Sequence, residues 1–240
     1  MANPILNDKF YQNESVITGE TMTVNGTLQV TAYMGVLLFI SAAFVWSRYT
    51  LGYTDMAAAL MGGGVIVGFI LALIISFTRK KFLVPVYAVC EGFALGGISA
   101  IMESSYPGIV SQAVLATFAT FFAMLGLYRF GLIKCTDKFR GVIFTATLSI
   151  VLVYLVDWIG HFFGYSVPAL NTSSNLGLII SGVIVLVAAL NLIIDFDFIE
   201  KGAMRMLPKD YEWYGAFGLM VTLVWLYIEI LKLIANTRRR

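Results

Sequence analysis

The chain has few charged residues and almost no histidine or cysteine. Only 12% of its 240 residues are charged, 59% are hydrophobic, and the mean hydropathy is +0.85. This composition is too apolar for a soluble globule of this length, so that class is excluded. A single histidine, His161, argues against a zinc-dependent membrane amidase, which needs several. The two cysteines, Cys90 and Cys135, show neither a disulfide framework nor a metal-binding cluster.

Seven long apolar stretches dominate the sequence instead. Most reach the roughly 20 residues that a helix needs to cross the hydrocarbon core of a bilayer. The stretches are 30–47, 56–77, 82–102, 108–128, 142–163, 176–196 and 213–234. They predict an all-α membrane protein with seven transmembrane helices in one membrane domain, residues 30–236. A polar arm precedes it (1–29), without the pattern of a secretory signal, and a basic tail follows it (237–240).

The basic residues indicate an orientation. Eleven of the sixteen fall in the amino-terminal arm or after the second, fourth and sixth stretches. Because cytoplasmic loops are enriched in Lys and Arg, the amino terminus is predicted to be cytoplasmic. The eleven are Lys9, Arg79, Lys80, Lys81, Arg129, Lys134, Lys138, Arg140, Lys201, Arg205 and Lys209. Seven crossings then place the terminal arginines outside, and a re-entrant last stretch is the alternative.

Four acidic residues lie inside the apolar stretches, where an ionisable group costs several kcal/mol. At ~1.5 Å per helical residue, Asp195 lies within about 5 Å of the cytoplasmic edge and Glu91 roughly 12 Å deep. Glu229 follows at about 20 Å and Asp157 at about 24 Å. A staggered set of carboxyl groups is what a cation or proton pathway needs. The alternative is that each acid is a hydrogen-bonded packing residue, kept neutral by burial.

Two glycine pairs predict close helix packing. Gly64 and Gly68 in the second stretch, and Gly92 and Gly96 in the third, have the GxxxG spacing that lets helix backbones approach. The second pair flanks Glu91, so it forms either a helix contact or the wall of a narrow passage.

Arg79 is the first of three basic residues after the second stretch. The orientation places it at the same depth as Asp195, so the two are predicted to form an ion pair across the cytoplasmic mouth. Protonation of the aspartate would release that pair, which would make it a pH-sensitive gate.

Four long segments resemble the Bax inhibitor-1 family and, within it, the bacterial YccA-like branch. The segments are CEGFALGGIS (90–99), YPGIVSQAVLATF (106–118), LNLIIDFDFIEKG (190–202) and EWYGAFGLMVTLVWLYIEIL (212–231). NPIL (3–6) and MTVNGT (22–27) are similar as well. The resemblance covers nearly the whole chain and implies an integral protein of the bacterial cytoplasmic membrane.

The resemblance also implies a fold and a function. Six helices would surround a central seventh, and the protein would be a pH-sensitive calcium leak. In such proteins two aspartates in helices 6 and 7 share protons, and an arginine at the end of helix 2 pairs with them. These roles fall on Asp195, Glu229 and Arg79. Glu229 replaces the family's aspartate and lies about 15 Å from Asp195 along the membrane normal. Substitute partners are Asp197, Glu200 and Glu91, and secondary positions on the ion path are Glu91, Asp157, Asp197 and Glu200.

The expected partners are the lipid bilayer and Ca²⁺ or H⁺ as permeant or regulatory ions, with no cofactor and no nucleic acid. The alternative function is a non-conducting regulator of a membrane protease or of a stress or cell-death protein. A retinal-binding protein is disfavoured because Lys232 lies near the outer end of its helix, where snorkelling explains it. We expect no enzyme, since a hydrolase built on Ser99 and His161 would lack the glycine that a nucleophile turn needs after the serine.

Overall fold

A computed structural model describes residues 19–164 and 175–239, and within them the chain forms seven α-helices. The helices are α1 (Val24–Thr50), α2 (Thr54–Thr78), α3 (Leu83–Ser105), α4 (Ile109–Arg129), α5 (Asp137–Phe162), α6 (Asn175–Met204) and α7 (Tyr211–Arg238). The NPIL segment, Lys9 and Arg240 lie outside the described residues.

All seven helices are long and apolar enough to cross a membrane. They contain 21 to 30 residues, which corresponds to about 32 to 45 Å at 1.5 Å per residue. The hydrocarbon core of a bilayer is about 30 Å thick. The prediction of an all-α membrane protein with seven spans is confirmed.

Helix α6 is longer than its apolar stretch. It continues to Met204, whereas the hydropathy pattern placed its end at residue 196. Beyond that stretch Asp197 and Lys201, one turn apart in α6, form an ion pair at 3.0 Å. Asp195 therefore lies nine residues before the end of α6, about 14 Å along the axis. The expectation that it sits beside the helix end was wrong.

The first and last helices also extend beyond their apolar stretches. Thr23 is the N-cap of α1, and its hydroxyl oxygen accepts a hydrogen bond from the Gly26 amide at 2.9 Å. This cap starts α1 at Val24, inside the arm expected over residues 1–29. At the other end α7 reaches Arg238, within the tail expected over residues 237–240.

The chain forms two compact units, each built from distant segments. Of the described residues, the first unit, here the α1–α3 unit, contains 19–107 and 195–224. The second, the α4–α5 unit, contains 108–164, 175–194 and 225–239. Helices α6 and α7 contribute residues to both. The arrangement of six helices around a central seventh stays a prediction.

Inside the α1–α3 unit, glycines let α3 pack closely against two neighbours. A Cβ atom on Gly64 of α2 would lie 2.6 Å from the Cys90 carbonyl oxygen of α3. A Cβ on Gly96 of α3 would lie 2.8 Å from the Cα of Ala42 in α1. On Gly92, a Cβ would overlap backbone and side-chain atoms of α1. The predicted close packing is confirmed, and the second glycine pair forms a helix contact.

Candidate functional site

Asp195 is a partly buried acid of the α1–α3 unit. The Thr222 hydroxyl of α7 lies near its carboxyl group. Gly218 of α7 lies beside it, since a Cβ there would be in ordinary van der Waals contact with Oδ1 of Asp195, at 3.7 Å. Oδ2 is buried and has no hydrogen-bond partner among residues 19–164 and 175–239. A buried carboxylate oxygen without a partner is costly, so a proton or a cation at Oδ2 would stabilise this site.

The other two acids of α6 face away from Asp195. Successive helical residues are rotated by about 100°, so Asp197 points roughly 200° away and Glu200 roughly 140° away. Asp197 is only 5% exposed, and its charge is compensated by Lys201 one turn later. Helical geometry therefore does not bring Asp197 or Glu200 to Asp195 as substitute partners.

Arg79 forms the C-cap of α2 in the left-handed conformation, with φ of 54°. Its Nη1 donates a hydrogen bond to Oη of Tyr211 at 3.0 Å, and the guanidinium lies 6.0 Å from the centre of that ring. Nearby, the Lys81 ammonium pairs with Asp210 at 2.7 Å. These contacts attach the end of α2 to the start of α7.

The predicted ion pair between Arg79 and Asp195 is not formed in the part of the chain that the structure describes. The left-handed cap directs Arg79 to the start of α7, where Tyr211 accepts its hydrogen bond. Asp195 lies about 14 Å along α6 from the end of that helix. Tyr211 is therefore one partner of Arg79 at the position that the sequence analysis assigned to Asp195.

Glu91 lies between α2 and α3. The Tyr87 hydroxyl, one turn earlier in α3, lies near its carboxylate. A Cβ on Gly68 of α2 would lie 3.1 Å from Oε1 of Glu91, so the carboxylate rests on the glycine. The Tyr87 ring packs edge-on against Phe217 of α7, with centroids 5.0 Å apart. Because Phe217 precedes Gly218, one stretch of α7 lies beside Asp195 and contacts Tyr87, the neighbour of Glu91.

In the α4–α5 unit, Glu229 is buried and paired. It is 3% exposed, and the Tyr154 hydroxyl lies 2.9 Å from each of its carboxylate oxygens. The Lys232 ammonium lies 3.4 Å from Oε1 and 4.8 Å from the centre of the Tyr154 ring. Glu229 therefore has both a cation and a hydroxyl donor. The snorkelling explanation of Lys232 missed this contact, although the i,i+3 spacing is visible in the sequence.

Asp157 lies in α5, one turn after Tyr154. Its side chain is 16% exposed, and Oδ2 lies 3.9 Å from Nδ1 of His161 one turn later. The same Nδ1 is 2.9 Å from the Asp157 carbonyl oxygen. Asp157 and His161 thus form a local pair at the end of α5.

Asp195 and Glu229 belong to different units, and each has its own partners there. A shared proton between them stays a prediction. No group of three or more His, Cys, Asp or Glu side chains that could hold a metal ion occurs within residues 19–164 and 175–239. The sequence analysis did not single out Thr222, Tyr154 or Tyr211, although each is a polar residue inside or beside an apolar stretch.

Seven membrane-length helices with carboxyl groups buried among them define the class of the protein, a multi-pass α-helical membrane protein. A sequence model of one family, described as Bax inhibitor 1 like, matches residues 3–239. The match covers nearly the whole chain, so the protein belongs to the Bax inhibitor 1-like family. Comparison with curated proteins and with solved structures gave no match. The family resemblance is confirmed, and the YccA-like branch stays a prediction.

Proposed function

We propose that the protein is a pH-sensitive leak for cations, calcium among them, and that the Asp195 carboxyl group is its sensor. The observation that supports this most directly is the buried Oδ2, which has no hydrogen-bond partner in the described part of the chain. An ionised carboxylate in this position is costly, and a proton removes the cost. Protonation also turns the carboxyl group into a donor, which changes its interaction with Thr222 and so the contact between α6 and α7.

Glu91 is the second acid of the proposed path in the α1–α3 unit. Carboxylate oxygens are ligands that Ca²⁺ prefers in proteins. Glycines stand beside both acids, Gly68 against Glu91 and Gly218 against Asp195. A Cβ on Gly68 would crowd the Glu91 carboxylate, whereas one on Gly218 would be in ordinary contact with Asp195. A shift of α7 at Gly218 would act on Asp195 directly and on Glu91 through Phe217 and Tyr87.

The paired acids receive secondary roles in this proposal. Glu229 has Tyr154 and Lys232, and Asp197 has Lys201. The same pairing supports the second candidate function, a non-conducting regulator of a membrane protease or of a stress or cell-death protein, because compensated acids need no aqueous path. The proposal further places the protein in a bacterial cytoplasmic membrane with its amino terminus in the cytoplasm, as its loop charges favour.

The test is calcium flux into dye-loaded vesicles that contain the purified protein, across about pH 6 to 8. We expect the wild-type flux to rise as the pH falls. Asp195→Asn mimics the neutral carboxyl group, so its flux should be high and independent of pH. The matched control is Asp55→Asn, an exposed acid in the first turn of α2, which should keep the wild-type profile.

Two outcomes would contradict the proposal in different ways. A wild-type pH profile in Asp195→Asn would refute the sensor assignment while leaving a leak in place. No flux above that of empty vesicles, in wild type and in both variants, would favour the non-conducting regulator.

A further inference from the structure

Residues 19–23, named the strap here, lie across the turn that joins α6 to α7. The Met22 amide donates a hydrogen bond to the Leu207 carbonyl at 2.7 Å, and the Lys209 amide donates one to the Glu20 carbonyl at 3.0 Å. These two bonds pair the strap with the turn in antiparallel fashion. The segment before α1 is thus attached to a turn that follows it by more than 180 residues.

The Met22 side chain is wedged between α6 and α7. It is only 2% exposed. A Cβ on Gly202 of α6 would lie 2.7 Å from its sulfur, and a Cβ on Gly215 of α7 would lie 3.4 Å from its Cε. Both helices therefore have a glycine where the methionine packs. Removing Met22 from this place would leave a cavity between the two helices.

A buried carboxylate joins the strap to the start of α7. Glu212 is 4% exposed. It accepts hydrogen bonds from the backbone amide of Thr23 at 3.0 Å and from the Thr23 hydroxyl at 2.9 Å. Gly26 lies so close that a Cβ there would overlap the carboxylate. The carboxylate also lies at the amino end of α1, where the helix dipole favours a negative charge. Release of the strap would remove both Thr23 donors from the buried Glu212 carboxylate. A partly released strap is therefore unfavourable, because the carboxylate would stay buried without these hydrogen bonds.

We propose that the strap is a latch on the α6–α7 turn, and that its release accompanies opening at the Asp195 site. This inference rests on the proposed function. The two helices joined by the turn are the ones that carry Asp195 and its neighbours Gly218 and Thr222. Thr222 lies ten residues beyond Glu212, about 15 Å along α7. Rigid helices transmit a displacement of the turn to that level.

A disulfide that locks the strap is the first arm of the test. Thr21 and Pro208 are the bridged pair between the two hydrogen bonds of the strap. Such non-hydrogen-bonded pairs have Cα atoms about 4.5 Å apart, which suits a disulfide. The variant is Thr21→Cys/Pro208→Cys with Cys90→Ala and Cys135→Ala. We expect its calcium flux at about pH 6 to fall at least fivefold on oxidation and to recover on reduction. Each single-cysteine variant is the control and should not respond to oxidation.

The opposite perturbation is Met22→Ala, which removes the wedge. We expect it to raise the flux at neutral pH severalfold while keeping a pH dependence, because Asp195 is unchanged. A readout that does not need conduction is amide hydrogen exchange at the start of α7. Exchange there should be at least tenfold slower in the oxidised disulfide variant than in the reduced one, and faster in Met22→Ala than in wild type.

The outcomes separate the latch from the leak. Failure of the disulfide to form would contradict the strap geometry. Equal flux in oxidised and reduced protein, with Asp195→Asn still altering the pH profile, would overturn the latch and leave the proposed function standing. If no variant conducts, the proposed function fails, and amide hydrogen exchange then tests the latch by itself. Slower exchange on oxidation would support a latch in a non-conducting protein, and unchanged exchange would overturn it.

Discussion

Alanine at Gly96 tests whether α3 and α1 meet backbone to backbone. The new methyl group would lie 2.8 Å from the Cα of Ala42 and 2.9 Å from its carbonyl carbon. Relaxed carbon contacts are about 3.5 to 4.0 Å. Because these obstacles are backbone atoms, a change of side-chain rotamer cannot relieve them, and the helices must separate by about 1 Å. Gly92, one turn earlier, meets the Leu38 carbonyl oxygen and the Ser41 hydroxyl in the same way.

The size of the effect follows from two opposing contributions. Overpacking a tight contact costs about 1 to 3 kcal/mol, whereas alanine in place of glycine stabilises a helix interior by about 1 kcal/mol. We expect Gly96→Ala to lower the free energy of unfolding by up to about 2 kcal/mol, and by about 1 to 3 kcal/mol relative to a glycine-to-alanine change that meets no neighbour. Gly92→Ala/Gly96→Ala should cost less than the sum of the single changes, since one separation of the helices relieves both sites.

Gly62 and Gly63 of α2 are the matched controls. A Cβ on either would meet no atom within 4 Å, so only the gain in helix propensity remains. Gly62→Ala and Gly63→Ala should match wild type or gain up to about 1 kcal/mol. The assay is unfolding by dodecyl sulfate in mixed micelles, followed by circular dichroism. If Gly96→Ala unfolded at the same denaturant fraction as Gly62→Ala, the close approach of α3 to α1 would be refuted.

Two further predictions concern polar contacts. Tyr154→Phe removes the hydroxyl that donates a hydrogen bond to Glu229. It should lower the free energy of unfolding by about 1 to 3 kcal/mol in the same assay. The control is Tyr53→Phe, which should leave that free energy unchanged because the Tyr53 ring is exposed. At the strap, the hydrogen bond and charge of Lys209 lower the pKa of Glu20 below its ordinary 4.5, and Glu20 raises the pKa of Lys209 above its ordinary 10.5. The stabilisation that the ionised Glu20 carboxylate adds is present above about pH 4.5 and is lost as the pH falls through its lowered pKa. The stabilisation that the protonated Lys209 adds is present below about pH 10.5 and is lost as the pH rises through its raised pKa. Amide exchange at the strap, corrected for its intrinsic rate, should be slowest between these limits, and a Lys209→Gln variant that kept the same pH dependence would contradict the pair.

The helices were predictable because each membrane crossing requires an apolar stretch of about 20 residues, which the hydropathy of the sequence shows directly. The burial of Glu229 followed from the same pattern, since an ionisable residue inside a membrane helix faces the protein interior rather than lipid. The end of α6 was not predictable in this way. Hydropathy shows where apolar residues stop, whereas α6 continues to Met204 through a segment that contains the ion pair of Asp197 and Lys201.

The partners of the site residues were harder to predict than the residues themselves. Depth along the membrane normal suggested that Arg79 meets Asp195, but depth contains no information on which helix face a side chain occupies. The left-handed cap at Arg79 decides its direction, and a non-glycine residue in that conformation has no reliable sequence signal. Contacts between distant segments, such as Thr23 with Glu212, leave no periodic pattern at all.

The hydrogen bonds between Thr23 and Glu212 have a consequence for biosynthesis. The two residues are separated by 189 positions, so at about 5 to 20 residues per second the ribosome makes the second some 10 to 40 s after the first. Throughout that interval the cap of the first helix lacks its carboxylate partner, and Met22 lacks the pocket between the last two helices. These contacts can form only after the final hairpin has been inserted. They therefore act as a closing step of assembly, and a chain truncated before Glu212 would expose its amino-terminal segment to quality-control proteases.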